Sequence, residues 1–210
     1  MTFARVCIIL VALFITSAAA QERDVGIDEE PRETRFGVLA GFTGWGQLGV
    51  FEDEYDTKRG LTGELFADFP VARQSTVGLA LSLDKVILDA VLIDSSKVDP
   101  ETFEVAVERQ LVTFGLTAKY DLWSVGKRVL VRPGAMFGGA FLDELEARGV
   151  RFLPDTWFAV GALSVETSYA LTPRFGLLLE LSFFTSLTAS NDLTDVSLEE
   201  IKQIRVGVLF

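Results

Sequence analysis

The chain contains no histidine, and its 210 residues include one cysteine, two methionines and six prolines. Without an imidazole, Ser–His, Cys–His and Asp–His catalytic arrangements are excluded. The cysteine, Cys7, lies inside an apolar N-terminal run, with no small residue just before it and no cleavage pattern to mark it for lipid attachment. Beyond that run there is no thiol, hence no disulfide and no thiolate metal site. Positive charge is scarce: 19 Lys and Arg stand against 30 Asp and Glu. That balance lacks the basic footprint that nucleic acid requires. Outside the N-terminal run no apolar stretch approaches the ~20 residues of a membrane-spanning helix.

Residues 1–20 have the layout of a cleaved secretory signal. Arg5 provides the positive start, Val6 to Ile15 the apolar stretch, and Ala18, Ala19 and Ala20 the small-residue cleavage site. Residues 21–34 are polar, with Asp28, Glu29, Glu30 and Pro31, and read as a flexible periplasmic lead-in. The remaining length fits one domain, residues 35–210.

That domain is built on a period of two. Phe36, Val38, Ala40 and Phe42 share one face of a first segment, and Leu61, Leu65, Ala67 and Phe69 one face of a second. Val77, Leu79, Leu81 and Leu83 mark a third; Val112, Phe114, Leu116, Ala118, Tyr120 and Leu122 a fourth; Val131, Ala135, Phe137 and Phe141 a fifth. Ala159, Leu163, Val165, Tyr169 and Leu171 mark a sixth, and Phe175, Leu177, Leu179, Leu181 and Phe183 a seventh. The last runs to the final residue, with Ile204, Val206, Val208 and Phe210 on one face. Alternation of this kind defines half-buried β-strands. Short links (Pro70 to Gln74, Ser124 to Lys127, Thr172 to Arg174) alternate with long ones (Gly46 to Gly60, Asp84 to Gln110, Asp143 to Thr156, Thr188 to Glu200). In the second long link Val86 to Ile93 and Phe103 to Val107 are strand-like. The third and fourth strands are therefore expected to protrude as a hairpin turning around Ser95 to Pro100, with a bulge where the phase breaks. A ten-stranded count is the alternative to eight.

No apolar face carries a charge, and a Lys or Arg facing lipid at mid-depth costs ~2–4 kcal/mol. The opposite face is dominated by small residues such as Gly37, Gly41, Gly78, Ser82, Gly115, Gly134, Ser164 and Gly207. A surface facing water would be dense in charge instead, so the apolar face is expected outward, in lipid. A soluble lipocalin-like binder, apolar inside, is the alternative. Aromatic residues gather at the strand ends: Tyr120, Trp123, Tyr169, Phe175 and Phe210 at the short-turn end, Trp45, Phe141 and Trp157 at the other. These are expected to form two interfacial girdles.

The inward face carries Glu64, Asp68, Asp84, Lys119, Asp121, Arg132, Glu166, Glu180 and Arg205. Buried charges require partners, so a lumen network of Lys119, Arg132 and Arg205 with Glu64, Glu166 and Glu180 is expected. An eight-stranded barrel is filled by its own side chains, which makes a plug the expected outcome and a narrow channel for ions or small apolar molecules the alternative. The acids of the first and last long links (Glu52, Asp53, Glu54, Asp56; Asp192, Asp195, Glu199, Glu200) lack the spacing of a calcium loop and read as solvated. Leu48, Phe51 and Tyr55 in the first link permit contact with a surface ligand.

Strand rhythm, girdles, signal and a closing aromatic strand together resemble the small eight-stranded outer-membrane β-barrels, a class that includes OmpA-type transmembrane domains, OmpX and OmpW. The resemblance covers residues 35–210 and rests on no signature motif. It implies an all-β, antiparallel up-and-down transmembrane barrel, reached by Sec-type export to a bacterial outer membrane. It implies lipid and lipopolysaccharide as surroundings and recognition of Val206, Val208 and Phe210 by the outer-membrane assembly machinery. With the last strand at the end of the chain, no OmpA-type periplasmic domain is expected. No catalytic residues can be carried over from the resemblance, and no metal or cofactor is expected. A non-enzymatic structural or surface-interaction role is the function expected.

Overall fold

The computed structural model describes residues 33–44, 46–50, 53–94, 101–125, 128–143, 145–147, 150–153, 155–186 and 196–210. The signal segment, the lead-in up to residue 32, Trp45 and the turn at 95–100 lie outside them. Every regular element described is a β-strand. Eight strands form the body: β1 (Arg35–Gly44), β2 (Gly60–Ala72), β3 (Ser75–Asp94), β4 (Glu101–Tyr120), β5 (Val129–Leu142), β6 (Thr156–Thr172), β7 (Phe175–Ser186) and β8 (Ile201–Leu209). Each pairs antiparallel with the next. β8 then returns to β1, with Gly37 opposite Leu209 and Gly44 opposite Lys202. The ring is closed at eight strands, not ten. Closure gives every barrel strand a partner on both sides, the condition for crossing lipid without helices.

Alternation sorts the side chains cleanly. The β7 sequence Phe175–Ser186 alternates exposed and buried residues from Phe175 to Phe184. Leu177, Leu179, Leu181 and Phe183 stand outward, 44–52 % exposed, while Glu180 and Ser182 are buried at 3 %. The same holds around the ring: Phe36, Leu65, Leu79, Leu83, Leu116, Phe137 and Val206 are exposed, while Asp68, Lys119, Arg132 and Arg205 are buried. Apolar outside and charged inside is the reverse of a soluble barrel. Such an apolar belt far exceeds the patches that water tolerates on a monomer.

One end is closed by tight connections. β2 and β3 are joined by Arg73–Gln74, β6 and β7 by Pro173–Arg174, with a register shift just before each turn, at Pro70/Ala72 and Ala170/Thr172. Bulges at such places steepen the twist and tighten the rim. After β4 the chain adds the short strand Trp123–Val125, which pairs back on β5.

The other end is extended. β3 and β4 stay paired without interruption from Ser75↔Tyr120 to Asp94↔Glu101. The bulge expected from the break in phase is therefore not there. The pattern changes because the hairpin rises clear of the lipid belt, where no single face has to be apolar, and not because the ladder slips. The first long link forms two strands, Gln47–Val50 and Asp53–Lys58, and the last contains Val196–Glu199. These continue the wall upward: Val196–Glu199 pairs with Gln47–Val50, that strand with Asp53–Lys58, and Thr57 and Lys58 with Leu88 and Ile87 of β3. The third link makes its own small hairpin, Leu145–Ala147 with Val150–Leu153.

Candidate functional site in the barrel lumen

The inward charges gather in two groups. The first lies towards the short-turn end. Arg132 on β5 and Glu166 on β6 are direct neighbours across the ladder. Arg132 Nε donates to Glu166 Oε1 at 2.7 Å, and Nη2 donates to the same oxygen. Lys119 Nζ on β4 donates to Glu166 Oε2 at 2.9 Å and to Asp68 Oδ2 at 3.1 Å. Arg132 Nη2 lies 3.1 Å from that same Asp68 oxygen. Two cations thus meet two carboxylates, all four side chains at most 4 % exposed. Lys119 Nζ also sits 4.0 Å from the ring centre of Phe66, a cation–π contact.

Asp68 reaches this group across an intervening strand. Gly78 of β3 stands opposite Asp68 on one side and Thr117 on the other. A Cβ at Gly78 would lie 2.6 Å from both Asp68 Oδ1 and Thr117 Oγ1. The glycine is what leaves room for the carboxylate to cross.

The second group is centred on Arg205 of β8. Its Nη1 donates to Glu64 Oε2 at 2.5 Å, its Nη2 to Glu180 Oε1, and Nη2 also to Ser182 Oγ at 3.4 Å. Glu180 is the cross-strand neighbour on β7. Glu64 lies beyond β1, and the β1 residue facing Arg205 is Gly41. Polar side chains carry the group further: Ser182 Oγ donates to Gln203 Oε1 at 3.1 Å and Gln203 Nε2 to Asp84 Oδ1 at 3.0 Å. Ser82 Oγ donates to Asp84 Oδ2 at 2.8 Å and shares a bond with the Thr113 hydroxyl. Here one guanidinium serves Glu64 and Glu180 directly and Asp84 only through neutral donors.

Between the groups lies a cavity of about 30 Å³, walled by Glu64, Thr117, Lys119, Ser164, Glu180 and Arg205 among others. That volume is about one water's share of the liquid. Thr117 Oγ1 and Arg205 Nε are buried with no protein partner among the described residues.

Apolar side chains fill the rest. Leu39, Phe66, Ala80, Leu178 and Leu209 pack at the short-turn side, and Val86, Leu111, Leu142, Phe158, Val160, Phe184 and Ile201 towards the extended end. Met136 packs against both clusters.

Sequence reasoning placed Lys119, Arg132, Arg205, Glu64, Glu166 and Glu180 in one network. The structure puts Lys119, Arg132 and Glu166 in one group and Arg205, Glu64 and Glu180 in another. It adds Asp68 to the first, and Asp84, Gln203, Ser182, Ser82 and Thr113 to the second. It also adds the inward apolar layers. Their signal in the sequence is local loss of alternation, as in Leu177–Leu178–Leu179 and Phe183–Phe184, where both faces are apolar.

At the rims, Trp157 is 63 % exposed, and its ring lies 4.9 Å from Phe141 and 6.1 Å from Phe114. Trp123, Tyr169, Phe175 and Phe210 stand exposed at the short-turn end. Tyr120 there donates its hydroxyl to Gln74 at 2.5 Å. Val206 is exposed on the outer face of β8, on the same side as Val208. Phe210 exchanges two backbone bonds with Phe36, at 2.9 and 3.0 Å, sealing the β1–β8 seam.

A closed ring of eight strands, apolar around its outer belt and ion-paired inside, is the architecture of the small outer-membrane β-barrels. No protein-family model and no curated protein matches the chain. Among solved structures, it is similar to Neisserial surface protein A, at 13 % identity and a TM-score of 0.56 over 86 % of this chain and 98 % of that one. It is also similar to a major outer membrane protein from Thermus thermophilus, at 18 % identity and a TM-score of 0.51 over 85 % of this chain and 99 % of that one. At these identities the likeness is one of fold.

Proposed function

We propose that the protein is a non-enzymatic barrel of a bacterial outer membrane, with a sealed lumen and an interaction role carried by its extended end. The observation that carries this is the contrast between the two. Inside, two ion-pair groups and two apolar layers leave a gap only of water size between the charged groups. Charges bound to one another in this way are a structural filling, since each cation already faces two carboxylates. Outside, the β3–β4 hairpin stands clear of the barrel. Residues 101–109 of β4 pair with β3 on one edge, and no strand pairing is made on their other edge among the described residues. An open backbone edge is a ready template for an added strand. Neisserial surface protein A, which shares the fold, is by its name a surface protein. With no histidine in the chain, the commonest base for hydrolytic chemistry is missing.

Fractionation of cell envelopes tests the placement. The protein is expected with the outer membrane, migrating faster unheated than boiled on a gel. Recovery in the soluble fraction, or identical migration, would contradict it.

A further inference from the structure

The apolar belt ends, towards the extended end, in outward-facing cations. Two residues beyond the last exposed apolar side chain the chain carries Lys202 above Ile204, Arg59 above Leu61 and Lys85 above Leu83. Lys202 stands opposite the exposed Phe183 of β7, which fixes it on the outer face. The Arg59 guanidinium lies 5.3 Å from the ring centre of Phe42, another exposed residue of that face. Lys85 Nζ is bound to Glu108 at 2.5 Å, so its charge is matched within the wall. Lys202 Nζ has Glu200 at 3.9 Å, but that carboxylate is 83 % exposed, and a surface pair of this kind is worth little.

Between Lys202 and Arg59 stands a residue with no side chain. Gly44 of β1 faces Lys202 in the ladder, and a Cβ on it would lie 3.0 Å from Arg59 Cα. The space between the two cations is therefore floored by backbone alone. Two strand spacings, ~10 Å, separate their main chains, a gap that two long side chains close on one tetrahedral anion from both sides. Below this point the belt is notched. Gly63 lies on the outer face between Leu61 and Leu65, opposite Ala40 on β1 and Leu83 on β3. A Cβ there would meet nothing nearer than the Leu39 carbonyl oxygen, at 3.8 Å. With Leu61, Leu83 and Lys85, Gly63 lines a recess of about 610 Å³. An anion-sized gap between two cations thus stands directly above a shallow apolar track.

We propose that Arg59 and Lys202 clamp a phosphate of one lipid A headgroup over Gly44, with an acyl chain of the same lipid lying along Ala40 and Gly63. The proposal rests on the outer-membrane reading, in which the extended end meets the lipopolysaccharide leaflet, and it names the partner that this end holds. Arg59 supplies a planar fork of donors and Lys202 a flexible point charge, a pairing that fits phosphate. Both cations sit where the belt gives way to headgroups, the level at which basic side chains reach polar lipid.

The test is lipid retention. The full mature chain is folded into phosphatidylcholine nanodiscs doped with lipid A, and the lipid carried by the released barrel is counted by native mass spectrometry. Heat-modifiable migration confirms that each variant is folded. One retained lipid A per barrel is expected, and excess inorganic phosphate is expected not to displace it. Retention is expected to fall by about tenfold or more in Arg59→Gln/Lys202→Gln, which loses the charge-assisted bonds. Gly63→Leu, which fills the track, is expected to weaken retention, and Arg174→Gln at the opposite end to leave it unchanged. Equal retention by the double variant, equal retention of dephosphorylated lipid A, or equal retention of phosphatidylglycerol would each overturn the proposal. Both leaflets of the nanodisc present the same lipids, so this result does not depend on where cells place the protein. Envelope fractionation tests that separately, and the two readings fail by different measurements.

Discussion

Arg205 on β8 reaches Glu64 on β2 by passing over Gly41, the residue of β1 that stands between their strands, and closes to 2.5 Å. A Cβ at Gly41 would lie 1.9 Å from the Ile204 carbonyl oxygen and 2.7 Å from Arg205 Cα. Gly41→Ala must therefore push β1 and β8 apart. Overpacking of this kind costs ~1–3 kcal/mol, and the urea midpoint of barrel refolded in vesicles is expected to fall accordingly. An unchanged midpoint would show that the seam has slack.

Removing Arg205 alone leaves Glu64 and Glu180 facing each other in the lumen with their guanidinium gone. Arg205→Met is expected to destabilise by ~3–5 kcal/mol, as breaking buried pairs does. Replacing all three, Arg205→Met with Glu64→Leu and Glu180→Leu, removes the stranded charges and is expected to recover much of that loss. If the triple variant is less stable than the single one by equilibrium unfolding, the group does not act as a charge-compensated unit.

The outward face predicts the opposite sensitivity. Leu179 stands mid-strand on β7, 44 % exposed and flanked by exposed Leu177 and Leu181. Leu179→Arg is expected to cost ~2–4 kcal/mol in a bilayer. In detergent micelles, which adapt to a single charge, the loss should be much smaller. Equal losses in both media would mean that this face is not set against hydrocarbon.

Phe210 contributes two backbone bonds to the β1–β8 seam, both to Phe36. Deleting it leaves the residue pairs from Gly37↔Leu209 to Gly44↔Lys202 in place. Refolding in vitro is therefore expected to survive, while the amount recovered in the outer membrane of cells falls, because the terminal strand is what the assembly machinery is proposed to read. Quantitative envelope blots of the deletion against Phe210→Tyr, expected to behave as the parent, check this.

The barrel was legible because its alternation is enforced by two solvents of opposite character. Lipid excludes charge from positions such as Leu65, Leu79 and Val206, and the narrow lumen demands glycine and small polar residues opposite them. Where one of those demands lapses, the sequence misleads. The β3–β4 hairpin loses its phase above the lipid, so an uninterrupted ladder looks like a bulge. The links at Gln47–Val50 and Val196–Glu199 alternate over only four residues each, too few to mark a strand by themselves, yet they pair because the barrel wall beneath them supplies a template. In the lumen the identity of the charged residues was plain, but their grouping was not. Asp68 joins Lys119 past Gly78, where a side chain would meet its carboxylate, and Glu64 joins Arg205 across β1, where the register partner of Arg205 is Gly41. Such contacts skip a strand and depend on strand tilt, which no linear pattern encodes.

Planar-bilayer recording of the purified, refolded barrel tests the sealed lumen most directly. Insertion is expected to leave the membrane resistance unchanged, without conductance steps. Stable, reproducible steps that disappear with Arg205→Met or change with Arg132→Met would show that the two ion-pair groups line a path, and would contradict the seal.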